Sequence, residues 1–247
     1  MVKTAGPTPR FIIDNWAAWS SDLETEEEWD LFFGSQAKIA DEQHAKKADV
    51  EFLPAMQRRR LSSLARAVFR VTHQCVEGNE DIPSVFCSHY GELRRTNQIL
   101  NTIASGAEVS PLAFSLSVHN AISGQHSILF KNIQPTTSLA PAGDGYLSAF
   151  AEALGILTMG AEAVLVVCYE DSIPEFYEPY ISSVASPTAI AIRLRMAQSE
   201  DLHRYKLDFA RDMREEPDLE IPLLALIRFF VQKRQCVGHE GWRLTTA

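Results

Sequence analysis

The sequence predicts an α/β fold, a mixed sheet flanked by helices with short additions at both chain ends, and three observations carry that prediction. The first is the run Ala163-Val164-Leu165-Val166-Val167-Cys168, whose unbroken apolar, β-branched character fits a strand covered on both faces. The second is an alternation of strand and helix patterns: Ser84-Val85-Phe86-Cys87-Ser88 is a short apolar run, and helical spacing through Ile99, Leu100 and Ile103 follows it up to Gly106. The third is composition. The chain has 247 residues, 46% hydrophobic and 22% charged, with 12 Gly and 12 Pro, which is neither collagen-like nor disordered and suits one large domain at roughly 100–200 residues each. No internal repeat or low-complexity linker divides it, so residues 1–247 read as one domain with its core at about 50–195 and a C-terminal extension at about 200–247.

Charge and leader composition narrow the function classes. The 23 Lys and Arg against 32 Asp and Glu leave a net charge of −9, without the basic surface that holds a phosphate backbone, which argues against nucleic acid as a partner. Residues 1–10 carry no apolar signal core, and no window approaches the roughly 18 uninterrupted apolar residues of a membrane span; a cytoplasmic protein is expected. Cys75, Cys87, Cys168 and Cys236 lie far apart with no C-x-x-C pair, as expected of reduced, buried thiols and not of a disulfide framework or zinc site.

Taken in order, Phe11-Ile12-Ile13 predicts a short strand, residues 14–19 a surface element carrying Trp16 and Trp19, and the acidic residues 22–30 a solvent-facing stretch. Residues 38–49 alternate charge without an apolar face and suggest a loop or exposed helix. Leu61, Leu64, Ala65, Val68, Thr72 and Cys75 recur at three- and four-residue spacing, which predicts one amphipathic helix over 55–76 whose outer face carries Arg58, Arg59, Arg60, Arg66 and Arg70. Ser110 as N-cap and Pro111 as first helical residue predict a helix to Ile122, ended by Gly124. Residues 134–139 suggest an extended segment, 143–159 a helix closed by Gly160, and 188–196 a strand with Ile190, Ile192 and Leu194 on one face and Arg193 and Arg195 on the other. An apolar helix over 221–231 precedes the tail.

The stretch Tyr146 to Leu157 is apolar almost all the way round, interrupted only by Ser148 and Glu152. A surface helix shows a stripe, so this one must be covered on more than its sheet side, by the C-terminal helices or by another subunit.

Several stretches together resemble the N-terminal half of β-ketoacyl synthases, in the thiolase superfamily: Ser84 to Ser88, the segment Val118-His119-Asn120-Ala121-Ile122-Ser123-Gly124-Gln125, the segment Thr136-Thr137-Ser138-Leu139-Ala140, and the strand from Gly160 to Asp171. The opening at Phe52 to Leu61 is similar to short ketosynthase-like chain length factors of aryl polyene clusters. The resemblance implies half of a thiolase-like fold. It also implies a missing nucleophile, because the family's cysteine sits at the turn into the buried helix, where a helix N-terminus lowers a thiol pKa and backbone N–H groups stabilise an oxyanion, and here that position is Leu139 or Ala140. The family's two catalytic histidines belong to a C-terminal half for which this chain is too short; Gly238-His239-Glu240-Gly241 echoes one of those motifs, but Trp242 departs from it. The implied function is that of a catalytically inactive subunit that joins an active β-ketoacyl synthase, as a heterodimer or higher hetero-oligomer, in type II polyketide, aryl polyene or fatty-acid-like biosynthesis, with no cofactor and no metal of its own. Family dimers pair through the segment before the nucleophile turn, which makes Gln134, Thr136, Thr137 and Ser138, with Phe114 and His119, candidates for touching the partner or its acyl chain. Arg58, Arg59 and Arg60 are candidates for docking an acidic acyl carrier protein, since a local patch suffices for steering.

Rival chemistries have weaker signatures. Gly143-Asp144-Gly145, opening a helix and followed by a strand ending at Glu170-Asp171, is similar in context to a dinucleotide-binding turn, but Ser148 stands where Gly or Ala is required. A nucleotide- or acyl-binding protein acting alone is the alternative reading. Ser138 precedes a helix but lies in no G-x-S-x-G elbow, which argues against a serine hydrolase. His119 and His126, seven apart, have no further ligand at metal spacing.

Overall fold

The computed structural model describes residues 9–35, 37–41, 44–76, 80–141, 145–209, 221–239 and 242–247. In chain order the elements are β1 (Arg10–Trp19), α1 (Glu26–Gly34), α2 (Ala55–Arg58), α3 (Ser63–Cys75), β2 (Ser84–Cys87), α4 (Leu93–Ala104), α5 (Pro111–Ser115), α6 (Ala121–Phe130), β3 (Thr136–Leu139), α7 (Leu147–Thr158), β4 (Val164–Glu170), β5 (Thr188–Met196), β6 (Tyr205–Phe209), α8 (Pro222–Val231), β7 (Cys236–His239) and β8 (Trp242–Thr246). A 3-10 turn at Glu175–Tyr177 interrupts the loop after β4.

The strands form one mixed sheet in the order β3-β2-β4-β5-β1-β6-β8-β7. β2 runs parallel to both β3 and β4, and every other pairing is antiparallel. The residues flanking the predicted 50–195 core therefore extend the same sheet. β4 is buried throughout and alternates cleanly: Val164, Val166 and Cys168 face α7 and α8, while Leu165, Val167 and Tyr169 face α3. β5 does the same, with Ile190, Ile192 and Leu194 toward α7 and α8, and the small Ala189 and Ala191 toward α3, whose own Ala65 and Ala67 let it approach closely.

The predicted cover for α7 comes from within the chain. Phe150, Ala153, Leu154 and Leu157 share one core with Leu223, Leu226 and Ile227 of α8 and Leu244 of β8. Burying each large side chain is worth about 1.5–3 kcal/mol, so the C-terminal segment is integral to this layer.

Five expectations are corrected. Residues 14–19 are the second half of β1, with Trp19 buried; a bulge between Ile13 and Asn15 turns Asp14 out of the ladder and against Arg193 and Arg195, which breaks the period-2 signal. The acidic stretch contains α1, started by a capping box between Thr25 and Glu28 and anchored by fully buried Trp29. The helix predicted over 55–76 is two helices, because Ser62 accepts the Ala65 N–H at 2.9 Å and starts α3 afresh; Arg58 ends α2, and Arg59 and Arg60 lie in the turn. The helix predicted from Pro111 to Ile122 stops at Ser115, and α6 runs straight through Gly124 to Phe130. Of the cysteines, Cys75, Cys87 and Cys168 are buried as expected, and Cys236 is exposed.

Candidate functional site

The carboxyl ends of parallel strands β2 and β4 face the N-terminus of α7, the place where α/β folds build sites. Tyr146, buried and in the left-handed region at φ +79°, is the residue from which α7 starts. Its hydroxyl donates to Glu170 Oε1 at 2.9 Å. The backbone N–H of His89 donates to the same oxygen, and His89 Nδ1 lies 3.1 Å from it and 3.2 Å from the phenol. Glu170 Oε2 is buried without a hydrogen-bond partner among the described residues. Burial, reinforced by the Glu170 charge, raises the Tyr146 pKa well above that of an ordinary phenol, so the hydroxyl stays protonated and serves as a donor, not a nucleophile.

Leu139 is the last residue of β3, half-buried, and Ala140 follows it exposed to solvent. The sequence from Leu139 to Ser148 holds no cysteine. What the helix N-terminus faces is a phenol, a carboxylate and an imidazole. No local motif marks Tyr146, His89 and Glu170 as a set; they are distant in the chain and meet only through sheet topology.

β3 is an edge strand, paired on one side only, with β2. Ser84 and Ser88 donate their N–H groups to Pro135 and Leu139, so residues 135, 137 and 139 turn their backbone toward β2, and Thr136 and Ser138 turn theirs to the open edge. Its side chains are tied back: the Thr136 hydroxyl meets Ser84 at 3.0 Å, Thr137 donates to Glu152 at 3.2 Å, Ser138 meets Ser123 at 2.7 Å, and the Gln134 amide donates to Asp81 at 3.3 Å. The helices α4 and α5, which touch each other, have no buried residue, and Leu100, Ile103, Leu112 and Phe114 on them are each about half exposed or more; Phe114 stands 60% exposed. His119 is half-buried and closes the turn after β2, its Nε2 lying 2.8 Å from the Ser88 carbonyl.

A family model described as the N-terminal domain of β-ketoacyl synthases matches residues 32–243. The chain belongs to that family. Among solved structures it resembles a chain of the ketosynthase (ApeO) in complex with its chain length factor (ApeC) from Xenorhabdus doucetiae, with 26% identity and a TM-score of 0.75, over 95% of this chain and 98% of that one. It also resembles the ishigamide ketosynthase/chain length factor, at 16% identity and TM-score 0.63 over 84% of this chain and 69% of that one. A third likeness is to AntDE:AntF, a type II acyl-carrier protein in complex with its ketosynthase, at 12% identity and TM-score 0.60 over 83% and 70%. The last two speak for the fold alone. No curated protein matches. The mixed sheet and its helical layers are thus those of a thiolase-like ketosynthase fold, as the sequence resemblance implied.

In this ketosynthase-like chain the predicted arginine cluster is a turn and not a helix face. Arg59 and Arg60 are exposed, and Arg58 is half-buried with its guanidinium 3.9 Å from Glu51. Arg66 and Arg95 clamp the turn by donating to the carbonyls of Arg58 and Arg60 at 3.4 and 3.0 Å, which brings Arg95 beside the triplet.

The rival sites do not assemble among the described residues. Gly143 and Asp144 of the dinucleotide-like turn lie outside them, and Glu170, which would hold a ribose, is buried and bonded to Tyr146. Ser138 meets a serine and not an imidazole. His126 packs between Phe86 and Phe130, at 5.2 and 4.4 Å between ring centroids, away from any ligand. His239 lies in β7, and Glu240 and Gly241 of its motif lie outside the described residues. No described helix is long and apolar enough to cross a membrane.

Proposed function

We propose that this chain is a non-catalytic ketosynthase-like subunit, a chain length factor, that pairs with an active β-ketoacyl synthase in type II polyketide, aryl polyene or fatty-acid-like biosynthesis. The observation that carries the reading is the β3 edge, which pairs with no second strand among the described residues, and α4 and α5 besides expose Leu100, Ile103, Leu112 and Phe114. A monomer seldom leaves both an unpaired strand edge and a clustered apolar surface to water. Pairing would bury both. The partner supplies the nucleophilic cysteine, and this chain lines one wall of the acyl channel with Phe114 and the β3 segment; the lack of any cysteine from Leu139 to Ser148 supports this division.

Arg58, Arg59 and Arg60, with Arg95 beside them, suit an acidic acyl carrier protein approaching the assembled pair, by analogy with the carrier–ketosynthase complex among its structural neighbours.

The test is Phe114→Asp, co-expressed with a β-ketoacyl synthase that co-purifies with the unaltered chain. Placing a carboxylate in a desolvated interface should weaken co-purification at least about tenfold, because an unpaired buried charge costs several kcal/mol, and should leave the melting temperature of the lone chain unchanged. Unaltered complex formation would remove this face from the interface.

A further inference from the structure

A second surface lies far from the β3 edge. The cleft, about 820 Å³, opens where β1 and β6 meet the carboxyl end of α8, four strands across the sheet from β3, which is about 19 Å at normal strand spacing. That volume falls in the range of small-molecule sites.

Its floor is aromatic. Trp16 packs on Phe230 with ring centroids 5.7 Å apart, Tyr205 meets Phe229 edge-on at 6.1 Å, and Ile13 completes the apolar surface. The charges on its rim divide unequally. Asp14 is spent on Arg193 and Arg195, and Asp201 takes two hydrogen bonds of 2.7 Å from Arg195, which hold its carboxyl down at about 2. Neither is left to repel an anion. Arg204 donates to the Ser199 and Asp201 carbonyls at 2.7 and 2.8 Å, and its charge also helps hold the Asp201 carboxyl down, whereas Lys233 and Arg234 form no ion pair among the described residues. Glu26, at the first turn of α1, is the lining side-chain carboxylate outside these pairs, and Ala247 lines the cleft as well, its N–H donating to the Arg204 carbonyl at 2.7 Å.

The two cations past α8 are held side by side by the backbone. The Arg234 N–H donates to the Phe229 carbonyl at 3.1 Å and the Lys233 N–H to the Phe230 carbonyl at 3.3 Å, a Schellman closure in which Lys233 takes the left-handed position at φ +48° where glycine is the usual residue. A lysine there sacrifices backbone ease and adds a cation to the cleft lining.

We propose that this cleft binds an amphiphilic anion, a molecule with an apolar chain or ring carrying one carboxylate or phosphate, its body on Trp16 and Phe230 and its head on Arg204, Lys233 and Arg234. The inference does not depend on pairing with a ketosynthase. Calorimetric titration of the full chain with dodecanoate, dodecyl phosphate and uncharged dodecanol tests it, below their critical micelle concentrations. Both anions should bind at least tenfold more tightly than dodecanol, and a preference between them identifies carboxylate or phosphate as the head. Lys233→Gly should lower anion affinity several-fold with the melting temperature unchanged or raised, since glycine suits that backbone, and Arg234→Glu should lower it at least tenfold with dodecanol unaffected. Phe114→Asp, on the distant apolar face, should change nothing. Equal binding of dodecanol, absence of anion binding, indifference to both rim variants, or loss of binding in Phe114→Asp would each overturn the proposal.

Discussion

Single residues set two measurable properties. His126 is buried beneath aromatic rings, and burial alone pushes its pKa down to about 4 from an ordinary value near 6.5. The unfolded chain therefore binds a proton that the folded chain refuses, so the contribution is fully present above pH 6.5 and is lost as pH falls toward 4, by about 3 kcal/mol over the interval. Urea unfolding at pH 7, 5.5 and 4.5 should show a steeper fall for the native chain than for His126→Leu; parallel curves would contradict the assignment. Gly91 stands at φ +52° in the turn after β2, where an added Cβ would lie 3.2 Å from His119 Cδ2. Gly91→Ala should cost about 1–2 kcal/mol for the left-handed backbone, lowering the melting temperature by several degrees. At this scale the sequence is least legible. Tyr146, His89 and Glu170 are 57 and 24 or more positions apart in the pairs that touch, and only the parallel arrangement of β2 and β4 brings them together.

Elements were legible wherever local pattern and tertiary role agree. β4, β5 and α8 are apolar in the periods their burial demands, and each lies within a few residues of its predicted place. The errors came from competing local chemistry. Spacing alone carries a helix across Arg59 to Ser62, although the serine before an apolar run is itself a cap signal, and Asp14 hides a strand because a bulge suspends alternation. An edge strand is also invisible without the sheet order. Since Thr136 and Ser138 present their backbone to the open edge of β3, Thr136→Pro or Ser138→Pro removes an outward N–H while sparing the ladder to β2. If β3 pairs with a partner strand, either variant should abolish co-purification with the ketosynthase while the lone chain keeps its far-ultraviolet circular dichroism; retained pairing would mean that the interface does not run through this edge.

At the scale of the molecule, one sheet separates two cores, α3 and α6 on one face and α7, α8 and α1 on the other. The sequence left open whether the C-terminal extension or another subunit covers α7, because periodicity reveals that a helix must be covered and not by what. The structure assigns much of that task to α8 and β8, and among the described residues the outer edge of β3 and the apolar side chains of α4 and α5 have no such cover. The central claim is that this surface completes an active synthase. Light scattering after size-exclusion chromatography, on the chain expressed alone and co-expressed with a β-ketoacyl synthase from the same organism, tests it most directly. The account predicts a stable hetero-oligomer in equal proportion on co-expression; a chain that elutes separately from the ketosynthase when the two are co-expressed would contradict it.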